Sequence, residues 1–143
     1  MPYEIRFSYI VDASDFTSAG TASSSVKKEL KALGLDAAAI RRVAICMYEG
    51  EINMVIHAHG GTIDVLVTPD RVTMVLADSG PGIPDVALAM QEGYSTATES
   101  VRNLGFGAGM GLSNMKKNSD EMRVDSVIGV GTTVTMTVNL NAP

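Results

Sequence analysis

One long apolar segment constrains this chain more than any other feature. Residues 37–58 read AAAIRRVAICMYEGEINMVIHA, and Asp36 stands directly before them, where a carboxylate caps the first turn of a helix. A helix with this sequence is apolar around most of its circumference, so most of its surface has to be buried. Gly60 and Gly61 are predicted to end it. The rest of the chain therefore has to supply elements that cover this helix.

Shorter segments alternate apolar and polar residues, as strands do when one face of a sheet meets solvent. The predicted strands are residues 4–12, 62–68, 71–78, 121–129 and 132–140. Pro69-Asp70 predicts a hairpin between the second and third strands, and Gly129 with Gly131 predicts another between the last two. Helical spacing predicts further helices at residues 25–34, at 84–90 and from about Gly111 onwards.

These elements predict an α+β fold, a two-layer α/β sandwich whose mixed, mostly antiparallel sheet carries helices on one face. The length of 143 residues and the 45% hydrophobic content suit one compact unit. No repeat, low-complexity tract or long linker divides the sequence. Residues 1–143 are therefore predicted to form a single domain.

Charge and cysteine content narrow the classes of function. The net charge is −5, and the 11 Lys and Arg residues are nowhere concentrated, which argues against nucleic acid as a partner. A single cysteine, Cys46, excludes an internal disulfide and a multi-cysteine zinc site and suits a reducing compartment. The sequence lacks the run of about 18 apolar residues that a membrane span needs, and its alternating N-terminus lacks the apolar core of a signal peptide. We therefore expect a soluble cytoplasmic protein.

Polar residues on the long helix are the first candidates for a site. Glu49 and Asn53 are four residues apart, so both project from the same face of the helix. On a mostly apolar helix they need partners or a cavity, and for these two alone a pair that is satisfied internally or exposed on a narrow polar edge is the simpler explanation. Gly50 beside them costs about 1 kcal/mol relative to alanine in a helix interior, which indicates a close approach by another group.

Two glycine-containing turns adjoin strands of the predicted sheet. Residues 78–83, DSGPGI, follow a strand; the Asp78 carboxylate accepts hydrogen bonds, and Gly80 and Gly82 allow a flat ligand to approach the backbone. Residues 129–133, GVGTT, open the last strand. Each of these segments, taken alone, is also explained by an ordinary turn.

A further segment, residues 105–112, reads GFGAGMGL and has a glycine at every second position, directly before a predicted helix. It exposes backbone N–H groups, and the helix N-terminus adds partial positive charge, so the segment is a candidate cradle for phosphates. It differs from a Walker A loop, because no GK[ST] follows, and from the GxGxxG dinucleotide fingerprint. A flexible loop that acts as a lid is the alternative, and the two interpretations are compatible.

In their order along the chain, these four segments resemble the N, G1, G2 and G3 boxes of the GHKL superfamily. This superfamily comprises the gyrase, heat-shock chaperone, histidine kinase and mismatch-repair ATPases with the Bergerat fold. The resemblance covers about residues 5–140, which is nearly the whole chain. In size and lid sequence the chain is most similar to the stand-alone anti-sigma factors and serine/threonine switch kinases of bacterial sporulation and stress responses.

The resemblance implies that the chain binds ATP together with Mg²⁺. Asn53 would be a ligand of the Mg²⁺ ion that bridges the phosphates, which suits an amide oxygen. Glu49 would lie near the γ-phosphate as the general base that orients or deprotonates an incoming hydroxyl group.

The resemblance also assigns the residues around the base and the lid. Asp78 would accept a hydrogen bond from the adenine amino group, and Thr133 would lie near the adenine and near Asp78. The backbone beside the adenine would be that of Gly80, Gly82 and Ile83. The lid over the phosphates would comprise Gly105, Gly107, Gly109, Met110, Gly111 and Leu112.

Three cations flank the lid segment. Arg102 precedes it, and Lys116 and Lys117 follow it within the predicted helix. All three would be able to reach phosphate oxygens, but a solvated helix face is the simpler explanation for the two lysines. Cys46 is expected to be buried filler in the long helix.

Two functions fit these expectations. The first is a serine/threonine protein kinase or anti-sigma factor that phosphorylates or sequesters a small regulatory protein, such as a sigma factor or a serine-bearing antagonist domain. The second is an ATP-dependent protein-binding switch without kinase activity, in which Glu49 would be dispensable. The sequence leaves open the identity of the partner, the transfer step and the formation of a homodimer.

Overall fold

The computed structural model describes residues 4–12, 20–58, 60–83 and 111–140. In chain order its elements are β1 (Ile5–Asp12), α1 (Thr21–Ala32), α2 (Ala37–His57), β2 (Gly60–Val67), β3 (Arg71–Ala77), α3 (Gly111–Asn118), β4 (Glu121–Val127) and β5 (Gly131–Asn139). The helix predicted at residues 84–90 lies outside the described residues.

The five strands form one sheet in the order β1-β2-β3-β5-β4. Every pairing between these described strands is antiparallel. The two predicted hairpins, β2–β3 and β4–β5, are both present, and the pairing of β3 with β5 joins them into one sheet. The predicted α+β fold with its mostly antiparallel sheet is confirmed.

The core lies between the helices and one face of the sheet. On β3 the side chains of Val72, Met74 and Leu76 are buried and alternate with partly exposed ones. Helix α2 packs against β1, β2, β3 and β5 and brings Val43 and Met47 into the same core. Since side chains alternate along a strand, the other residues of each strand form a second face that is more exposed and richer in threonine.

Helix α1 begins at Thr21, earlier than the predicted start at residue 25. The residue before it supplies no side-chain cap. The cap comes instead from α2, where the Glu51 carboxylate accepts hydrogen bonds from Ala22 N at 3.2 Å and Ser23 N at 3.1 Å. Glu51 is only 3% exposed, and its charge complements the positive end of the α1 dipole. Because the cap comes from a distant part of the chain, the local sequence of α1 does not reveal it.

Replacing Glu51 with alanine is expected to lower the free energy of unfolding by about 2 kcal/mol, because two N–H donors of α1 lose their acceptor. Urea unfolding followed by circular dichroism measures the change. Glu29→Ala, at an exposed position on α1, is the matched control. If both variants unfold at the wild-type midpoint, the buried carboxylate does not stabilise α1.

The two glycines after α2 begin a strand instead of ending the helix. Helix α2 ends at His57, with Ala58 as its C-terminal cap residue, and Gly60 and Gly61 are the first residues of β2. A Cβ atom on Gly61 would overlap the carbonyl oxygen of Ala77 on the neighbouring strand. The prediction that these glycines end the helix is therefore wrong, because strand packing determines their place.

Gly50 lies where another part of the fold comes close, as its position in a helix interior indicates. A Cβ atom there would overlap Cδ2 of Leu76 on β3 and would lie 3.7 Å from Met115 Sδ on α3. The glycine therefore lets α2 pack closely on the sheet directly beside Glu49.

The Cys46 side chain is buried in the core on α2, as expected. Its Sγ donates to the Met115 carbonyl oxygen at 3.6 Å. Burial raises the pKa of the Cys46 thiol from 9.0 to about 12.

The raised pKa of Cys46 predicts both reactivity and pH dependence. Between pH 9.0 and about 12 the unfolded thiol loses its proton while the folded thiol keeps it, so stability is expected to fall as pH rises through this window. Because the thiolate is the nucleophile, iodoacetamide at about pH 8 is expected to label Cys46 only after denaturation. Rapid labelling of the native protein would contradict the burial of this side chain.

Candidate functional site

The candidate site lies where α2 and α3 pack against each other. Arg42 near the start of α2 pairs with Asp120 just after α3, whereas Asn53 near the end of α2 lies against Gly111, the first residue of α3. The two helices are therefore antiparallel. The 3.0 Å ion pair from Arg42, together with the N–H of Asn139, holds the pKa of Asp120 below its usual range. This ion pair holds α2 and α3 together at the end that is remote from Asn53.

Glu49 is half-buried between the two helices. Its Oε1 accepts a hydrogen bond from Asn114 Nδ2 on α3 at 3.3 Å. Within the described residues Oε2 makes no hydrogen bond, so this oxygen retains its capacity to accept a proton from a bound group. Asn53 follows one turn later on the same face of α2, as the spacing predicts.

The Asn53 side chain lies directly against the first turn of α3. A Cβ atom on Gly111 would be 3.0 Å from Asn53 Nδ2 and 3.1 Å from its Oδ1, so only bare backbone fits here without adjustment. Leu112, the next residue, is buried and anchors the helix in the core. The N-terminus of α3, with its partial positive charge, is therefore next to Asn53.

Asp78 is held rigidly at the end of β3. Its Oδ1 accepts hydrogen bonds from Gly80 N at 2.9 Å and Thr132 N at 3.1 Å, and its own N–H donates to the Thr132 carbonyl oxygen at 2.9 Å. A Cβ atom on Gly131 would overlap the Asp78 carbonyl oxygen. Oδ2 has no hydrogen bond among the described residues, so one acceptor oxygen is left in a fixed orientation.

Gly80 and Gly82 are explained by the packing of the protein itself. A Cβ atom on Gly80 would be 2.7 Å from Ala58 Cα, and one on Gly82 would be 2.7 Å from the Val127 carbonyl oxygen. Gly82 also has a φ of 85°, which disfavours other residues. Their contact with an adenine stays a prediction, since these two positions require glycine even without a ligand.

Two hydroxyl groups join the Asp78 turn to the β4–β5 hairpin. Ser126 Oγ accepts a hydrogen bond from Ile83 N at 2.7 Å and lies 2.8 Å from Thr132 Oγ1. Gly129 N also donates to the Pro81 carbonyl oxygen at 2.9 Å. The half-buried Ile83 packs against the core from this turn. The hairpin therefore supports the whole segment from Asp78 to Ile83.

The threonine next to Asp78 is Thr132 and not Thr133, the residue that the resemblance implies. Thr133 pairs with Ala77, and alternation along β5 places its side chain on the sheet face opposite the helices. Thr132 is 7% exposed and lies on the helix side. A signal was present in the sequence, because Thr132 is the residue that directly follows Gly-x-Gly.

The two parts of the site meet at the C-terminal end of α2. Gly80 lies against Ala58, and a Cβ atom on Gly61 would be 2.6 Å from Met54 Cε and 3.0 Å from Asp78 Cα. Met54 is the immediate neighbour of Asn53 in α2. The fold thus brings the Glu49–Asn53 face and the Asp78 turn to the same end of one helix.

The chain matches a known protein family over most of its length. A family model described as the histidine kinase-like ATPase domain matches residues 13–138. The chain belongs to this family.

Curated relatives of this histidine kinase-like ATPase domain include anti-sigma factors and a serine/threonine-protein kinase. The chain is 34% identical over 103 residues to an anti-sigma F factor of Caldanaerobacter subterraneus, an alignment that covers 68% of each chain. It is 32% identical over 124 residues to the serine/threonine-protein kinase RsbT of Bacillus subtilis, which covers 84% of this chain and 85% of the relative.

Solved structures share the fold at lower sequence identity. The RsbU and RsbW domains of a Mycobacterium tuberculosis protein match with a TM-score of 0.63 and 20% identity, covering 97% of this chain and 33% of that one. The mycobacterial sensor histidine kinase MprB matches with a TM-score of 0.54 and 16% identity, covering 97% and 100%. Both confirm the architecture of the ATPase domain.

The residues around Asn53 fit the Mg²⁺ ion that the family implies. No three His, Cys, Asp or Glu side chains within the described ranges lie together so as to hold a metal ion. Mg²⁺ usually keeps several waters and takes further oxygens from substrate phosphates, so one protein ligand is sufficient. The Asn53 amide has no hydrogen bond among the described residues, and its Oδ1 is an oxygen donor of the required kind.

The other expected site residues are placed as follows. Lys116 and Lys117 are exposed in the last turn of α3, at the end remote from Gly111, where positive charge complements the helix dipole. The expected lid and flanking residues that lie outside the described residues are Arg102, Gly105, Gly107, Gly109 and Met110.

None of the helices described is long and apolar enough to cross a membrane.

Proposed function

We propose that this ATPase domain binds Mg²⁺-ATP and acts as a serine/threonine protein kinase of the anti-sigma type. The observation that carries the proposal is the placement of Glu49 and Asn53 on one face of α2, against the N-terminus of α3. This arrangement brings together a proton acceptor, an oxygen donor for a cation and backbone N–H groups that attract phosphate.

Each group has a defined part in phosphoryl transfer. Asn53 Oδ1 would hold the cation, which neutralises charge on the phosphates when it is bound. Glu49 Oε2 would take the proton of a serine or threonine hydroxyl as that oxygen attacks the γ-phosphorus. The bond from the γ-phosphorus to its bridging oxygen then breaks, and ADP leaves with that oxygen.

The Asp78 turn would select adenine. Asp78 Oδ2 is left as an acceptor once Oδ1 is bonded to two N–H groups, and the adenine amino group is a matching donor. Thr132, in place of Thr133, would lie near the adenine, because its backbone and hydroxyl belong to the network around Asp78. A fixed acceptor of this kind discriminates against bases that present a carbonyl oxygen.

The relatives indicate the class of partner. Relatives at 32–34% identity are named anti-sigma F factor and serine/threonine-protein kinase RsbT. We therefore propose a small regulatory protein as the partner, either a sigma factor or an antagonist domain that offers a serine. We further propose that the protein works in the cytoplasm and that it forms a homodimer.

An ATP-dependent binding switch without transfer is the second candidate. The observation that favours it is the contact between Gly111 and Asn53. Because of this contact, a nucleotide bound at Asn53 would change how α3 packs against α2. In this case the lid and α3 would grip or release a partner, and no chemical step would be needed.

Labelling of co-purified proteins separates the two functions. The wild-type protein, purified from its own cell, is incubated with ATP labelled in the γ-phosphate. The kinase predicts label on a serine or threonine of a small co-purified protein. The switch predicts that a partner is captured with ATP and equally with a non-hydrolysable analogue, and that no partner is ever labelled. The latter result would overturn the kinase assignment.

A further inference from the structure

One contact of the site joins α3 to the carboxylate of Glu49. Asn114, on α3, donates from Nδ2 to Glu49 Oε1 at 3.3 Å, and its side chain is half-buried. No other protein donor reaches the Glu49 carboxylate among the described residues. Among the described residues, a single amide therefore orients the carboxylate across the helix interface.

We propose that Asn114 is the positioning residue of the general base, on the assumption that Glu49 has the role given above. Backbone geometry places only the Cβ atom of a glutamate, and the remaining torsions are free to rotate. The hydrogen bond from the Asn114 amide gives the carboxylate a preferred direction among these torsions. By occupying Oε1, Asn114 directs Oε2 towards the hydroxyl group that is to lose its proton.

The register of the two helices couples this orientation to the phosphate end of the site. Gly111 lies on Asn53, and Asn114, almost one turn later on α3, lies on Glu49, one turn earlier on α2. Because the helices are antiparallel, both contacts form together when α3 is seated. A displacement of the whole of α3 away from α2 would break the contact at Asn53 and also remove the donor from Glu49. The general base is thus correctly oriented only when the helix N-terminus is in place at the phosphates.

The experiment measures steady-state hydrolysis of Mg²⁺-ATP, with water as the acceptor hydroxyl, and nucleotide affinity by calorimetry. Asn114→Asp is nearly isosteric but places a second carboxylate against Glu49. Its kcat is expected to fall roughly 100-fold, as for a displacement of about 1 Å in a catalytic group, while KM and affinity change less than about threefold. Asn114→Ala removes the donor without adding charge, and its kcat is expected to fall about tenfold.

Two comparisons separate positioning from a general effect on structure. Asn118→Asp adds the same charge one turn further along α3, where the hydrogen bond of the side chain among the described residues goes to the Asn114 carbonyl oxygen and not to Glu49, and its kcat is expected to match that of the wild type. In a Glu49→Gln background, Asn114→Asp is expected to cause no further loss, because Asn114 acts through Glu49. An equal loss in both backgrounds would overturn the positioning role.

Different results would contradict the role of Glu49 as the base and the positioning role of Asn114. If Glu49→Gln hydrolyses ATP as fast as the wild type, the proposed role of Glu49 as the base fails; if the wild type hydrolyses none, transfer of labelled phosphate to the co-purified partner supplies the same kcat comparison between variants. If Glu49→Gln is slow but Asn114→Asp and Asn114→Ala keep the wild-type kcat, only the positioning role fails. Should the aspartate variant not fold, as judged by circular dichroism, the alanine variant supplies the same comparison.

Discussion

Glu49→Gln is expected to slow phosphoryl transfer roughly 10²–10⁴-fold, while the affinity for ATP stays within about threefold of the wild type. Glutamine has the size of glutamate, and its Oε1 still accepts the hydrogen bond from Asn114 Nδ2. The change therefore leaves the contact between the two helices intact. It replaces the one oxygen that would take the hydroxyl proton by an amide nitrogen, which has no basicity.

Two measurements test this result. Transfer of labelled phosphate to the co-purified partner gives the rate, and calorimetry with ATP gives the affinity. Glu29→Gln, which removes an exposed carboxylate from α1, is the matched control and is expected to behave as the wild type. Undiminished transfer in Glu49→Gln would exclude this residue as the base, and a parallel loss of rate and affinity would instead indicate a damaged site.

Asp78→Asn is expected to weaken ATP binding about 100-fold or more, which corresponds to about 3 kcal/mol. The asparagine Oδ1 can keep both hydrogen bonds that hold the turn, from Gly80 N and Thr132 N. Its Nδ2 then stands where Asp78 has Oδ2. A donor replaces an acceptor at this point, so the adenine amino group meets another donor and loses its partner.

The same substitution predicts a change of preference between bases. Inosine triphosphate carries a carbonyl oxygen where adenine has the amino group, and this oxygen accepts from the new amide. Asp78→Asn is therefore expected to bind inosine triphosphate better than ATP, the reverse of the wild type. Asp64→Asn, on β2, is the control, because Asp64 contacts Ser8 away from the turn. Unchanged ATP affinity in Asp78→Asn would disprove the adenine assignment.

Much of the fold follows from periodicity in the sequence. The apolar pattern of residues 37–58 predicts α2 to within one residue of its observed end. Alternation predicts the five strands, and turn residues predict both hairpins. The spacing of Glu49 and Asn53 places them on one helix face without any knowledge of the tertiary structure.

Other features depend on contacts between distant parts of the chain. The first turn of α1 is stabilised by Glu51, which belongs to α2, so no local cap marks its start. Gly60 and Gly61 look like a helix stop but begin β2, since a neighbouring strand leaves no room for a side chain at Gly61. In each case the deciding neighbour is far away in the sequence.

For the glycines of the site, too, the sequence suggests one reason for the residue and the fold gives another. Their number and order in the sequence suggest that a ligand requires bare backbone. In the fold, Gly80 is required by Ala58 and Gly82 by Val127. These two glycines therefore shape the turn that presents Asp78, and this distinction requires the positions of the surrounding atoms.

The sequence by itself determined the elements, the fold class and the four segments from which the site is built, because residue spacing within one helix or strand dictates which side chains share a face. Only the tertiary structure placed Asn114 on Glu49, Gly111 on Asn53 and Thr132 on Asp78. Each of these contacts joins two elements, and its geometry depends on how closely and in which register they pack. Local patterns carry no information about that register, since it is fixed by the packing of the whole core.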